Sequence, residues 1–198
     1  MYPTTIMNLI ECFKKFPGIG EKTAERLALS CLDMDEETIE LFTKSLKETK
    51  TKIKNCKICG NLTEEEECNI CKDKSRDKSV LCIVEESKNI TLFEKIGSFN
   101  GLYHVLGGLI SPLDGINPDD INISSLIKRI DKNDIKEVII AVKPTVEGET
   151  TALYIKKILE GKDIVITKIA HGVPMGADID YIDPLTLEIA LSARQKFS

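Results

Sequence analysis

The residues of this chain best suited to chemistry are four cysteines in CKICGNLTEEEECNIC, residues 56–71, spaced C-x2-C-x8-C-x2-C as Cys56, Cys59, Cys68 and Cys71. Each C-x2-C turn brings two sulfurs close enough to share one small ion, and four thiolates complete the tetrahedral shell that Zn²⁺ prefers. An iron–sulfur cluster could use the same thiols, although paired spacing is less typical of its ligand runs. A thioredoxin-like redox centre needs one such pair, not two. The spacing therefore predicts one structural Zn²⁺ per chain. The other three cysteines, Cys12, Cys31 and Cys82, fall within apolar patterns and read as core residues.

A second candidate lies upstream, in FPGIGEKTA. Pro17 disfavours helix at Phe16, while Gly18 and Gly20 permit a tight reversal whose backbone amides no side chain shields. Those amides would open a helix, and a helix N-terminus with bare N–H groups suits a phosphate oxygen, with Lys22 and Arg26 one turn apart beside it. The elements that must hold this turn are two amphipathic helices. Ile6, Leu9, Ile10 and Phe13 mark the first; Ala24, Leu27, Ala28, Cys31 and Leu32 mark the second. The arrangement resembles a helix-hairpin-helix, a motif that grips DNA backbone without reading bases. Downstream, TKSLKETKTKIKNCK carries six lysines against one glutamate, and Lys44, Lys47, Lys50 and Lys54 recur at helical spacing as a basic stripe.

Acidic residues supply the third candidate. The second half of the chain alternates strand-like runs at 80–84, 103–106, 137–142 and 163–170 with helical stretches near 87–97, 124–131, 148–160 and 185–196. Near-continuous apolar strands fit a parallel sheet covered on both faces, so the fold class is α/β. Function in such sheets gathers at the carboxyl ends of the strands. Glu85 and Glu86 follow the first strand there, and Glu147 and Glu149 lie in KPTVEGET after the third. Carboxylates converging from two strand ends can hold Mg²⁺ for phosphoryl chemistry, or they can simply cap helices.

Composition sets the frame. The chain has 198 residues, 42% hydrophobic and 30% charged, with a net charge of −5 that averages over faces a nucleic acid need not meet. The odd total of seven cysteines, and an opening MYPTTIMNLIE without the basic and apolar regions of a secretory signal, point to a reducing cytoplasm. No apolar run approaches the length of a membrane helix. His104 and His171 have no partner histidine in motif spacing and read as packing or hydrogen-bonding residues. No Ser-His-Asp pattern or Walker loop is present.

A strand ending in Glu, followed later by a strand and acid-Gly-acid, resembles the Toprim domain of primases, topoisomerases and some nucleases. Together with YHVLGGLISPLDGI, VKPTVEGET and IAHGVPMGADIDY, and with the order hairpin, four cysteines, Toprim, nearly the whole chain resembles the RecR family of bacterial recombination mediators. The resemblance implies a helix-hairpin-helix region at 1–54, a four-cysteine zinc finger at 55–72, a Toprim domain at 79–172 and a C-terminal segment at 173–198 that joins subunits. It implies a non-enzymatic protein acting with RecO, and in some settings RecF, to help displace single-strand-binding protein and load recombinase on gapped DNA. It also implies a homo-oligomer, dimer or ring-like tetramer.

Carried over by motif position, Lys22 and Arg26 become the leading DNA contacts, to which the bare turn adds Gly18 and Gly20 and the basic stripe Lys44 and Lys47; Glu85, Glu147 and Glu149 become the Toprim acids, on a surface used for a partner or for subunit contacts. Three positions depart from the family pattern: Lys143 stands for the common Asn, Asn89 for Asp, and Ala177 for Gly. Lys143 beside two glutamates adds positive charge that opposes metal binding. The competing expectation is a Mg²⁺-dependent Toprim nuclease or other phosphoryl-transfer enzyme; a zinc scaffold that binds only protein leaves the hairpin and lysines without a role.

Overall fold

The computed structural model describes residues 2–170 and 172–194, which divide into two units at Ile53 and Lys54. The first unit is helical: α1 (Thr4–Lys14), α2 (Glu21–Ser30), a 3₁₀ turn at Cys31–Asp33 and α3 (Glu36–Lys52). α1 and α2 bury Ile10, Ala24 and Ala28 between them, with Ile6, Leu9, Phe13 and Ile19 packed around; small residues on α2 let the two backbones approach. α2 ends at Ser30, not beyond Leu32, and the 3₁₀ turn swings Leu32 into solvent while Leu27 stays exposed. Cys12 is exposed and Cys31 half-buried, so the expectation that both are core residues fails; Cys82 alone of the three is buried. α3, capped by Asp35 through the Thr38 amide, buries none of its residues.

The second unit begins with a short antiparallel hairpin, β1 (Lys54–Asn55) and β2 (Leu62–Thr63), and α4 (Asn69–Lys72), which together carry the four cysteines. Lys54 is therefore a strand residue paired with Glu66, and the helical stripe ends at Lys50.

A four-stranded parallel sheet follows, built from β3 (Val80–Val84), β4 (Leu102–Val105), β5 (Glu137–Ala141) and β6 (Val165–Lys168) in the order β4-β3-β5-β6. α5 (Ser87–Ile96), α6 (Ile123–Lys132) and α7 (Val146–Ile158) make the crossovers, and α8 (Pro184–Ser192) is the last described element; residues 195–198 of the expected C-terminal segment lie outside the described residues. Side-chain alternation splits the strands between two cores. Leu81, Ile83, Val138 and Ile140 face Leu126 of α6 and Ile155 of α7, whereas Cys82, Val84, Tyr103 and Val105 face Ile90 of α5. Burial on both faces explains why these strands read as continuous apolar runs.

The chain leaves β3 in one direction, to β4, and later enters β5 on the other side, so the sheet reverses between β3 and β5. Their carboxyl ends frame the crevice where α/β sheets bind ligands. Glu85 follows β3 and Lys143 follows β5, placing both at that crevice.

Candidate functional site

The cysteines converge. Their four sulfurs lie within 4.8 Å of one another, with Cys56 Sγ 3.9 Å from Cys71 Sγ and Cys59 Sγ 3.5 Å from Cys68 Sγ. Four sulfurs about 2.3 Å from one Zn²⁺ would sit about 3.8 Å apart, so the cluster already has the size of a zinc shell. Backbone amides of Cys68 and Asn61 point at the sulfurs of Cys56 and Cys59, at 3.3 and 3.5 Å, as donors that stabilise thiolate.

The thiols also need a cation. Hydrogen bonding from Cys59 lowers the pKa of the Cys68 thiol below its usual range, while the bonds among the same sulfurs raise those of Cys59 and Cys71 above it. Four thiolates packed this closely repel one another and are stabilised by a bound cation. Two of the four neighbouring glutamates are engaged elsewhere, Glu65 with Lys72 and Glu66 with Lys54 and Lys57. All four donors are sulfur, the set that suits zinc, and the closed shell leaves no position for a substrate.

The hairpin turn is bare. Gly18 sits at φ +80°, a conformation that only glycine takes without strain, and Gly20 starts α2 from ordinary extended backbone. A Cβ at either position would meet nothing within 4 Å, and among the described residues no side chain caps α2 at its start. Glycine here leaves space rather than relieving a clash. Lys22, Arg26, Lys44, Lys47 and Lys50 are exposed and, among the described residues, enter no ion pair. Lys14 differs: its ammonium is held by Glu11 at 2.8 Å and Glu21 at 2.6 Å, which raises its pKa.

The acids do not assemble into a metal cage. Glu85 accepts from Lys143 Nζ at 3.1 Å, and Glu149 is paired with Lys168. Glu147 lies at the start of α7, where hydrogen bonding to Thr145 lowers its pKa. Among the described residues, the four cysteines are the one group of three or more His, Cys, Asp or Glu side chains arranged to hold a metal ion. Gly148, between the two glutamates, has a packing reason: a Cβ there would lie 1.9 Å from the Lys143 carbonyl oxygen. Acid-Gly-acid is thus the sequence that lets α7 begin directly against the β5 loop.

Beside the Glu85–Lys143 pair lies a cleft of about 350 Å³, whose walls include Asn89, Leu92, Phe93, Ile96 and Ile169. Sequence reasoning missed these apolar walls. Leu92 and Ile96 are 58% and 68% exposed although each sits three residues after a half-buried residue of α5, Asn89 and Phe93, and such a helix-face excess of apolar residues is the signal that marks them. It also missed Lys168, whose partner lies nineteen residues away and cannot be found from spacing. Asn89 accepts from the Glu86 amide at 2.8 Å and so closes a reciprocal cap on α5, a role its side-chain oxygen fills as an aspartate would. His104 is buried with Nε2 against the Asn122 carbonyl at 2.9 Å, as a packing residue; His171 lies outside the described residues. No described helix is long and apolar enough to cross a membrane.

Comparison with known proteins covers the same segments. Residues 6–50 match a model of the RecR helix-hairpin-helix, 53–73 the four-cysteine zinc finger domain of RecR, 79–170 a Toprim domain and 172–195 the RecR C-terminal region. Recombination protein RecR of Enterococcus faecalis is 48% identical over 195 residues, covering 98% of both chains. The proteins of the same name from Lactiplantibacillus plantarum and Streptococcus mutans are each 50% identical, over 196 and 195 residues, again across 98% of both chains.

Proposed function

The chain belongs to the RecR family of recombination proteins, and on that footing we propose that it is a non-catalytic, DNA-binding mediator of recombinational repair in the cytoplasm. It works with RecO, and in some settings RecF, to help displace single-strand-binding protein and load the recombinase on gapped DNA. In this reading residues 1–54 contact DNA, 55–72 form the zinc finger, 79–172 the Toprim domain and 173–198 a subunit contact.

The observation that carries this reading is the lysine on two of the three acids. Mg²⁺-dependent phosphoryl transfer needs carboxylates free to share a divalent ion, and here Lys143 neutralises Glu85 while Lys168 neutralises Glu149. Ion pairs flanking an apolar cleft suit a protein surface instead: Leu92 and Ile96 offer area to bury, and the charges set the register of a partner. We assign Glu85, Glu147 and Glu149 to that partner face.

DNA contact follows from the first unit. The Gly18–Gly20 turn presents backbone amides, and Lys22, Arg26, Lys44 and Lys47 offer unpaired positive charge. Amides and ammonium groups bind phosphate in any sequence, so binding is sequence-independent. Cys56, Cys59, Cys68 and Cys71 hold one structural Zn²⁺ whose binding energy is folding energy. Uncovered apolar side chains on α3, with Leu41 64% and Phe42 48% exposed, support assembly into a dimer or ring-like tetramer.

The test has two arms. Wild-type protein is incubated with gapped, nicked and structured nucleic acids in Mg²⁺ or Mn²⁺, and Glu147→Lys with Glu149→Lys is assayed for RecO binding. No turnover, with RecO binding lost in the charge-reversed protein, is expected. Metal-dependent cleavage or joining that disappears in Glu149→Gln would replace the mediator reading with the enzyme one.

A further inference from the structure

β4 is an edge of the sheet, and an edge strand presents backbone groups that need covering. The cysteine knuckle covers the end of this edge, while Asn122 and Arg129 donate to the Val105 and Tyr103 carbonyls. The Val105 amide donates to the carbonyl oxygen of Cys59, a metal ligand, at 2.7 Å. Gly60 follows at φ +78°, so tight against the strand that a Cβ would meet the Val105 carbonyl oxygen at 3.1 Å. Its own carbonyl accepts the Ser87 hydroxyl at 3.4 Å. Ile70, from the helical turn between the last two cysteines, packs both on the cysteine cluster and on the Cys82–Val84–Tyr103 face of the sheet.

Two routes run from this knuckle to the cleft. Through Val105 the chain continues to Gly107, whose amide donates to the Glu85 carbonyl at 2.9 Å. Through Ser87 it reaches the first turn of α5, where Glu86 and Asn89 cap one another and Asn89 lines the cleft. Both routes end on the segment 85–89, which forms one wall of the cleft against Lys143.

We propose that Gly60 and Ser87 are positioning residues through which the cysteine knuckle sets the shape of the Glu85–Lys143 cleft, so that metal in the knuckle and a protein partner in the cleft strengthen each other's binding. The partner half of this rests on the partner face assigned above; the coupling half does not. A ligand that orders the knuckle also orders 85–89, and linkage requires the reverse effect to have the same size.

The experiment compares wild type, Ser87→Ala, Ser87→Thr and Gly60→Ala as full chains. Hydrogen exchange is followed over residues 85–93 and 103–109, and zinc transfer to a chromophoric chelator is timed with and without RecO. Ser87→Ala keeps its four cysteines and its fold, and should speed both exchange over 85–93 and zinc transfer about threefold, the scale of one hydrogen bond. Ser87→Thr keeps the hydroxyl and should restore both. Gly60→Ala, strained at positive φ, should have the larger effect. RecO should slow zinc transfer from wild type, less so from Ser87→Ala. Unchanged exchange over 85–93 in Ser87→Ala and Gly60→Ala, with zinc transfer also unchanged, overturns the coupling. Coupled exchange and zinc transfer, with RecO binding yet leaving transfer unaltered, keeps the coupling and overturns the partner face.

Discussion

Replacing Lys22 and Arg26 together by Ala removes two exposed cations that no described residue of their unit pairs. Each phosphate contact releases condensed counterions, so losing two should flatten the log affinity against log salt by about 1.8 on duplex DNA and about 1.4 on single strands. Raising salt from about 50 to about 200 mM would then cost the variant about twelvefold less duplex affinity than it costs wild type. Unrelated sequences should weaken alike, because phosphates carry no sequence. Lys14→Ala is the control the structure supplies. Its ammonium already serves Glu11 and Glu21, so removing it should change the slope far less than removing either free cation. Fluorescence anisotropy titrations across four salt concentrations, with circular dichroism to confirm the helices, give the slopes. A double variant that keeps the wild-type slope, or a Lys14→Ala slope that falls as far, would refute the assignment of phosphate contacts to unpaired cations on α2.

Other perturbations follow from the second unit. Cys59→Ser should abolish the near-stoichiometric zinc measured by elemental analysis and lower the unfolding midpoint, since an open shell returns part of the metal's folding energy. Gly148→Ala forces a Cβ to within 1.9 Å of the Lys143 carbonyl, so α7 must move; a loss of about 3 kcal/mol in urea unfolding is expected, against little change for Glu147→Gln. Burial lowers the pKa of His104 to about 4 from 6.5, so the unfolded chain binds the extra proton first as pH falls. Stability from this group is complete above about pH 6.5 and lost progressively towards pH 4, about 3 kcal/mol in all, and His104→Gln should flatten that part of the pH profile.

The sequence by itself determined the elements and the metal site. C-x2-C pairs are local, so Cys56, Cys59, Cys68 and Cys71 meet wherever the chain closes its two turns. The central strands announce themselves because burial on both faces leaves no polar alternation. The four strands and their helices lie where the apolar runs place them, shifted by one or two residues at most ends. Chemistry confined to one turn is legible for the same reason: Gly18 and Gly20 mark the reversal, and Gly18 takes positive φ.

Tertiary structure alone decided which charges are free. Glutamates and lysines are similar symbols in a sequence, but the pair Glu85–Lys143 spans 58 residues and the pair Glu149–Lys168 nineteen, and only the strand order β4-β3-β5-β6 brings them together. Lys14 and Lys22 likewise look equivalent until the α1–α2 packing places Glu21 on one of them. Periodicity misplaced Cys12, Leu32 and Lys54 because it extends a helix face without knowing what covers it or where the helix stops. Coulomb energy depends on distance through space, and sequence spacing reports that distance only within a turn or two of the same helix.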